Sequence, residues 1–311
     1  MQLAYGKQLV DQVSASVVGR RRELETVVAA LAAGRHLLVE GPPGTGKSTV
    51  LRSIAERTGS GFEFVEGNAE LTPARLVGAF DPSVVLVEGY VEHAFVDGPL
   101  LCALREGALL YIEEINRIPE ETLNLLITVM SEAELHVPRL GKIEAHPEFR
   151  LVAAMNPFDS VGTARIASAV YDRCCRLAMG YQDAIEEAEI VRSSAPVATH
   201  AIGTRTLESA IQMVRDSRAH AAIRSGSSVR GAIDFVMVLQ ELAVLRETST
   251  DDPAVTLDAA MLALSGRIRL NEGGSSSAEE LVTELWLRHF GPQSEEQTSG
   301  DPQQGEPAKK A

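Results

Sequence analysis

The chain has 311 residues, 45% hydrophobic and 23% charged, which suits about two globular domains of ~100–200 residues each. Its formal net charge of −14 argues against broad binding to nucleic acid or anionic lipid. Cys102, Cys174 and Cys175 show no metal-binding spacing, no run of ~18 apolar residues occurs, and the N-terminus lacks a leader pattern, so the expectation is a reduced, cytoplasmic protein without membrane insertion.

In chain order, residues 20–33 have helical spacing, with Leu24, Val27, Val28 and Leu31 on one face. The apolar run 36–40 then reads as a buried strand ending in a glycine-rich turn, and 48–57 reads as a helix. Further strands are expected at 62–65, 109–112, 150–154 and 176–179, with a helix over 120–132. Short apolar strands alternating with helices imply a parallel sheet covered on both faces. Residues 83–95 and 134–144 interrupt the rhythm, and each reads as an inserted hairpin. After Gly180 only helices are expected, giving an all-α second domain over 181–290 behind an α/β core over 1–180. The polar stretch 291–311, rich in Pro, Gly, Gln and Glu, is expected to be disordered.

Gly41, Pro42, Pro43, Gly44, Thr45, Gly46, Lys47 and Ser48 form a complete G-x-x-x-x-G-K-[ST] loop between strand and helix, with Thr49 following. Glycines let backbone N–H groups converge on phosphate oxygens, and the helix adds its positive N-terminal end. Lys47 can reach the β- and γ-phosphates of ATP, and the Ser48 hydroxyl can ligate Mg²⁺. Glu113 and Glu114 follow the strand at 109–112, at the sheet edge where α/β proteins bind ligands. Glu113 is the candidate for the metal shell and Glu114 for polarising the attacking water. The first acid is more commonly Asp. The extra methylene moves the carboxylate about 1.5 Å outward, so hydrolysis is a weaker expectation than binding.

With Glu113-Glu114-Ile115-Asn116-Arg117 in view, the sequence resembles the MoxR branch of the AAA+ ATPases. The likeness rests also on Val18-Gly19-Arg20, the phosphate loop, Gly98-Pro99-Leu100, Ala154-Met155-Asn156-Pro157, Tyr171-Asp172-Arg173 and Ser228-Val229-Arg230. It implies an α/β P-loop (AAA+) core with a parallel sheet sandwiched by helices, and a C-terminal all-α lid. It further implies that Val18 and Gly19 border the adenine, Asn156 is sensor 1, Arg173 is the arginine finger and Arg230 is sensor 2. Arg165 competes for the finger role, Arg205 is a weaker rival to Arg230, and Asn68 is a candidate switch for Glu114. The resemblance implies a homo-oligomeric ring, a hexamer by precedent, that remodels or activates a client with a partner carrying a von Willebrand factor A (VWA) domain. The two inserts would face the pore or a partner. Alternatives are a nucleic-acid motor and a nucleotide-gated scaffold with very slow hydrolysis. Glu88 and Glu92 in the first insert count against the motor, while Arg139 and Lys142 in the second count weakly for it.

Overall fold

The protein is described from a computed structural model covering residues 5–157 and 168–292. The expected polar tail beyond 292 and the rival Arg165 lie outside the described residues. The chain forms two compact units, Met1–Ile190 and Val191–Ala311. The division falls ten residues beyond the expected boundary, inside the helix Ala184–Ser194.

The first unit opens with α1 (Lys7–Ser14) and α2 (Arg21–Ala32), then β1 (His36–Glu40), α3 (Lys47–Thr58) and β2 (Phe62–Glu66). Next come α4 (Pro73–Val77), β3 (Gly78–Phe80), α5 (Pro82–Glu88), β4 (Phe95–Asp97) and α6 (Pro99–Glu106). β5 (Leu109–Glu113), α7 (Glu120–Glu132), β6 (Glu134–Val137), β7 (Gly141–Glu144) and β8 (Arg150–Met155) follow, then α8 (Ser168–Arg173), β9 (Cys174–Ala178) and α9 (Ala184–Ser194).

β2, β5, β8, β1 and β9 form one parallel sheet in that spatial order. Strand alternation explains its two-sided core. Leu37 and Val39 of β1, Leu109 and Tyr111 of β5, and Val152 and Ala154 of β8 face the layer of α1, α2 and α3. Leu38, Leu110, Ile112, Leu151 and Ala153 point the other way, toward α6 and α7. Leu110, Ile112 and Leu151 are wholly buried, each contributing roughly 1.5–3 kcal/mol.

The segment expected as a hairpin over 83–95 is instead centred on a helix. Val84, Val85 and Val87 favour a strand by composition, but Asp81 accepts from the Ser83 N–H at 2.8 Å and Pro82 takes the first helical turn, so a helix starts there. β3 and β4 pair antiparallel around it, and Phe80 packs edge-on against Tyr90 and Phe95. β6 and β7 form an antiparallel hairpin over 134–144. At its turn, Arg139 has a φ of 67° and lies 3.5 Å from the centroid of the Tyr90 ring, so the two inserts touch.

The second unit contains α10 (Pro196–Ala201), α11 (Thr204–Ala219), β10 (Ile223–Ser225), α12 (Val229–Leu245), α13 (Pro253–Leu264), β11 (Arg269–Leu270) and α14 (Ala278–Phe290). The expectation of helices alone is corrected by β10 and β11, which pair antiparallel. Strands of three and two residues are too short to leave a periodic signal. Phe235, Leu239, Leu264 and Leu285 are fully buried, and the Trp286 indole donates to Thr256 Oγ1 at 3.1 Å within that core. No helix among the described residues is long and apolar enough to cross a membrane.

Candidate nucleotide-binding site

The loop at 41–46 leaves the C-terminal end of β1, in the interior of the sheet between β8 and β9. Gly44 and Gly46 have φ of 76° and 84°, a left-handed backbone that glycine adopts without strain. A Cβ built on Gly46 would meet nothing within 4 Å, so the loop face there is open. At Gly41 a Cβ would lie 2.2 Å from the Met179 carbonyl oxygen, so glycine is needed for close approach to the chain leaving β9. Lys47 is 7% exposed, and its Nζ donates to the carbonyls of Gly41 at 2.8 Å and Pro42 at 3.0 Å. Thr45 Oγ1 donates to the same Pro42 carbonyl at 3.0 Å and braces the turn. Ser48 and Thr49 lie in the first turn of α3. An open loop of left-handed glycines at the start of a twelve-residue helix, with an ammonium at its floor, fits a polyphosphate.

Glu113 ends β5, next to β8 and thus one strand removed from the loop. On the same face, one pleat below it, lies Tyr111, fully buried. Burial first, and then the Glu113 charge, hold the Tyr111 phenol well above its ordinary pKa. Glu114 has a φ of 54°, unusual for a residue with a side chain. Such backbone is worth roughly 1–3 kcal/mol of local strain and clusters at functional sites. Its carboxylate lies 3.0 Å from Arg117. The loop after β2 presses on this turn: Gly67 N donates to the Glu113 carbonyl at 2.7 Å, and a Cβ on Gly67 would sit 2.5 Å from the Glu114 backbone carbonyl oxygen. Asn68, the candidate switch, closes a local turn, with Nδ2 donating to Glu66 O at 3.3 Å and Oδ1 accepting from Glu70 N at 2.9 Å.

Asn156 follows β8 directly, so the sheet places it between the acidic turn and the phosphate loop. Val18 and Gly19 precede the buried Arg20, whose guanidinium donates to Gly180 O at 2.6 Å and Gln182 Oε1 at 2.8 Å. That bond ties the segment to the strand exit already packed on Gly41. Gly19, with a φ of 68°, leaves room for the Glu186 carboxylate, which a Cβ there would meet at 2.4 Å.

Arg173 stands apart. It immediately precedes β9, whose first residue Cys174 pairs with His36 at the start of β1. It therefore belongs to the opposite edge of the sheet, about 16 Å from its own phosphate loop along a five-residue strand. Its guanidinium donates to Ser131 Oγ and to Ala169 O, and Asp172 lies 3.9 Å away. Arg230 is exposed in the first turn of α12, in the second unit, as Arg205 is in the first turn of α11.

Two residues that border the site are not singled out by the sequence. Glu40, 4% exposed, ends β1 directly before the loop and is bonded by Tyr171 and Arg176. The only available signal was an acidic residue closing an otherwise apolar strand. Tyr111 was hidden as one more apolar-looking position of β5.

A P-loop at the interior of this sheet order, with an acidic turn and an Asn on the adjacent strands, defines a P-loop nucleoside-triphosphate-binding protein. Residues 36–174 match the AAA domain of the dynein-related subfamily, and over that span the match agrees with the AAA+ resemblance carried by the motifs. It is 31% identical over 176 residues to the gas vesicle ATPase GvpN1 of Halobacterium salinarum, which covers 51% of each chain. It is 26% identical over 259 residues to YeaC of Bacillus subtilis, an uncharacterised protein, covering 76% of this chain and 78% of that one. The gas vesicle relatives are named as ATPases, in line with the MoxR-like AAA+ branch that the motif order resembles. The matches span 51% to 65% of the length of the gas vesicle relatives. A crystal structure of a candidate ATPase from Cytophaga hutchinsonii shares the fold at 20% identity, with a TM-score of 0.51 over 91% of this chain and 93% of that one.

Proposed function

We propose that this chain hydrolyses ATP as one subunit of a closed ring, a MoxR-type machine that remodels or activates a client protein together with a VWA-domain partner. The observation that carries this proposal is the separation between two halves of one chemistry. The phosphate loop and Glu114 stand at one edge of the sheet, and Arg173 stands at the other. An arginine acting on transition-state charge is worth about 10³–10⁵ in rate, and here it is out of reach of its own site. Head-to-tail contact between copies puts it within reach of the next subunit's site, and a contact of that kind makes a ring when its rotation closes.

Within one site, Val18 and Gly19 border the adenine, and the loop residues 41–46 and Lys47 hold the phosphates. Ser48 and Glu113 would hold Mg²⁺, which supplies charge neutralisation at the phosphate oxygens. Glu114 accepts a proton from the attacking water, and Asn156 orients that water. Arg230 serves as the lid's sensor of the γ-phosphate. The exposed Leu86 and Val87 on α5, at 87% and 83% exposure, supply an apolar grip for a client.

Phosphate release by the purified protein under multiple turnover tests the proposal. Lys47→Ala should abolish ATP binding. Glu114→Gln should bind ATP normally and lose turnover by about 10²-fold or more. Wild-type turnover in Glu114→Gln would overturn the assignment of the base, and absence of turnover in the wild type would leave a nucleotide-gated scaffold.

A further inference from the structure

Glu40 is the last residue of β1 and the residue before the phosphate loop. At 4% exposure its carboxylate has lost nearly all of its water, a heavy desolvation penalty unless donors replace it. Tyr171 Oη donates to Oε1 at 3.0 Å, and Arg176 binds Oε2 through Nε at 2.7 Å and through its terminal nitrogen at 2.5 Å. Tyr171 belongs to α8 and Arg176 to β9. Arg173 stands between them in the chain, at the α8–β9 junction. Glu40 thus grips both sides of the segment that presents Arg173.

The same residue is fixed to the loop. Its carbonyl accepts from Met179 N at 2.7 Å, and Gly41, the next residue, packs against the Met179 carbonyl. The sheet does not need this clamp, because β1 and β9 already pair through five register positions. Arg176 is 56% exposed and would be hydrated without a partner. An apolar side chain at position 40 would fill the buried place without stranding a charge. A buried carboxylate spanning from the loop root to the flanks of Arg173 therefore has a use beyond packing.

We propose that Glu40 is a positioning residue: it couples the phosphate loop of one subunit to the arginine which that subunit lends to its neighbour. The coupling rests on the trans-acting role given to Arg173 above. Its physical basis is a short, stiff path from Gly41 through the Glu40 carboxylate to Tyr171 and Arg176, so that displacement of the loop by phosphate moves the α8–β9 junction.

The experiment measures ATP affinity, kcat and melting temperature for Glu40→Gln, Tyr171→Phe, Arg173→Ala and each pair with Arg173→Ala. Glu40→Gln keeps the shape and removes the charge, while Tyr171→Phe deletes one hydroxyl from a partly exposed residue and spares the fold. Expected is ATP affinity within about two-fold of wild type in both, with kcat lowered about ten-fold in Glu40→Gln and about four-fold in Tyr171→Phe. Neither should lower the residual turnover of Arg173→Ala further, because residues acting as one unit are non-additive. Losses that add fully to Arg173→Ala, or that fall on ATP affinity with kcat intact, overturn the coupling. If Arg173→Ala loses turnover while Glu40→Gln and Tyr171→Phe match the wild type, the coupling alone fails. If Arg173→Ala itself turns over at the wild-type rate, the trans-arginine assignment fails and takes the coupling with it.

Discussion

His36 shows how one residue's surroundings set a solution property. It opens β1, and its Nδ1 accepts from the Leu151 N–H at 2.9 Å, which requires an unprotonated nitrogen there. Burial first, and then the charges of Arg150 and Arg35, lower its pKa from 6.5 to about 4. The folded ring is therefore neutral at pH values where the unfolded chain already binds a proton. Stability from this residue is complete above pH 6.5 and declines as pH falls toward about 4, below which both states are protonated and the loss levels off. A shift of this size corresponds to about 3 kcal/mol. His36→Gln offers a non-titrating acceptor to Leu151. Between pH 7 and pH 4.5 its stability should fall less than that of the wild type, by about 2 kcal/mol, in denaturant titrations. Parallel pH profiles for the two proteins would refute this account.

Element-scale behaviour is best judged at α5, where composition and capping disagree. The helix has no buried residue, so the cap and the short β3–β4 ladder hold it rather than core packing. Asp81→Ala removes the acceptor for Ser83 N–H and Oγ. Amide exchange over residues 84–88 should speed up about five-fold, as loss of a helix cap implies, with the global melting temperature unchanged. A fall in global melting temperature would mean that the insert is part of the main core. The same element marks what the sequence made legible. Strands β1, β2, β5 and β8 and helices α7 and α12 were readable because burial on one or both faces imposes a pattern. So was the phosphate loop, whose chemistry demands named residues at fixed spacing. α5 was not readable, since its valines favour a strand and a single Asp-Pro pair decides otherwise. Nor was Glu40, whose partners stand 131 and 136 residues away and meet it only through the crossover from β8 to β9.

For the whole molecule, the placement of Arg173 makes a quantitative claim about copies acting together. Each site would combine the loop and Glu114 of one subunit with Arg173 of the next. Glu114→Gln then spoils the subunit's own site but leaves its arginine usable, and Arg173→Ala leaves its own site intact but gives nothing to a neighbour. Each protein alone should show only residual turnover. Mixed in equal amounts with free subunit exchange, half of the subunits carry an intact site, and half of those face an arginine-bearing neighbour. Turnover should therefore recover to about a quarter of the wild-type rate if sites act independently, as expected for heterologous contacts in a closed ring. Specific activity of the wild type should also rise with protein concentration, since a dissociated subunit has an incomplete site. An arginine acting within its own subunit predicts no recovery at any mixing ratio. It also predicts a specific activity independent of concentration, and either result would remove the ring from the mechanism while leaving ATP binding at residues 41–48 intact.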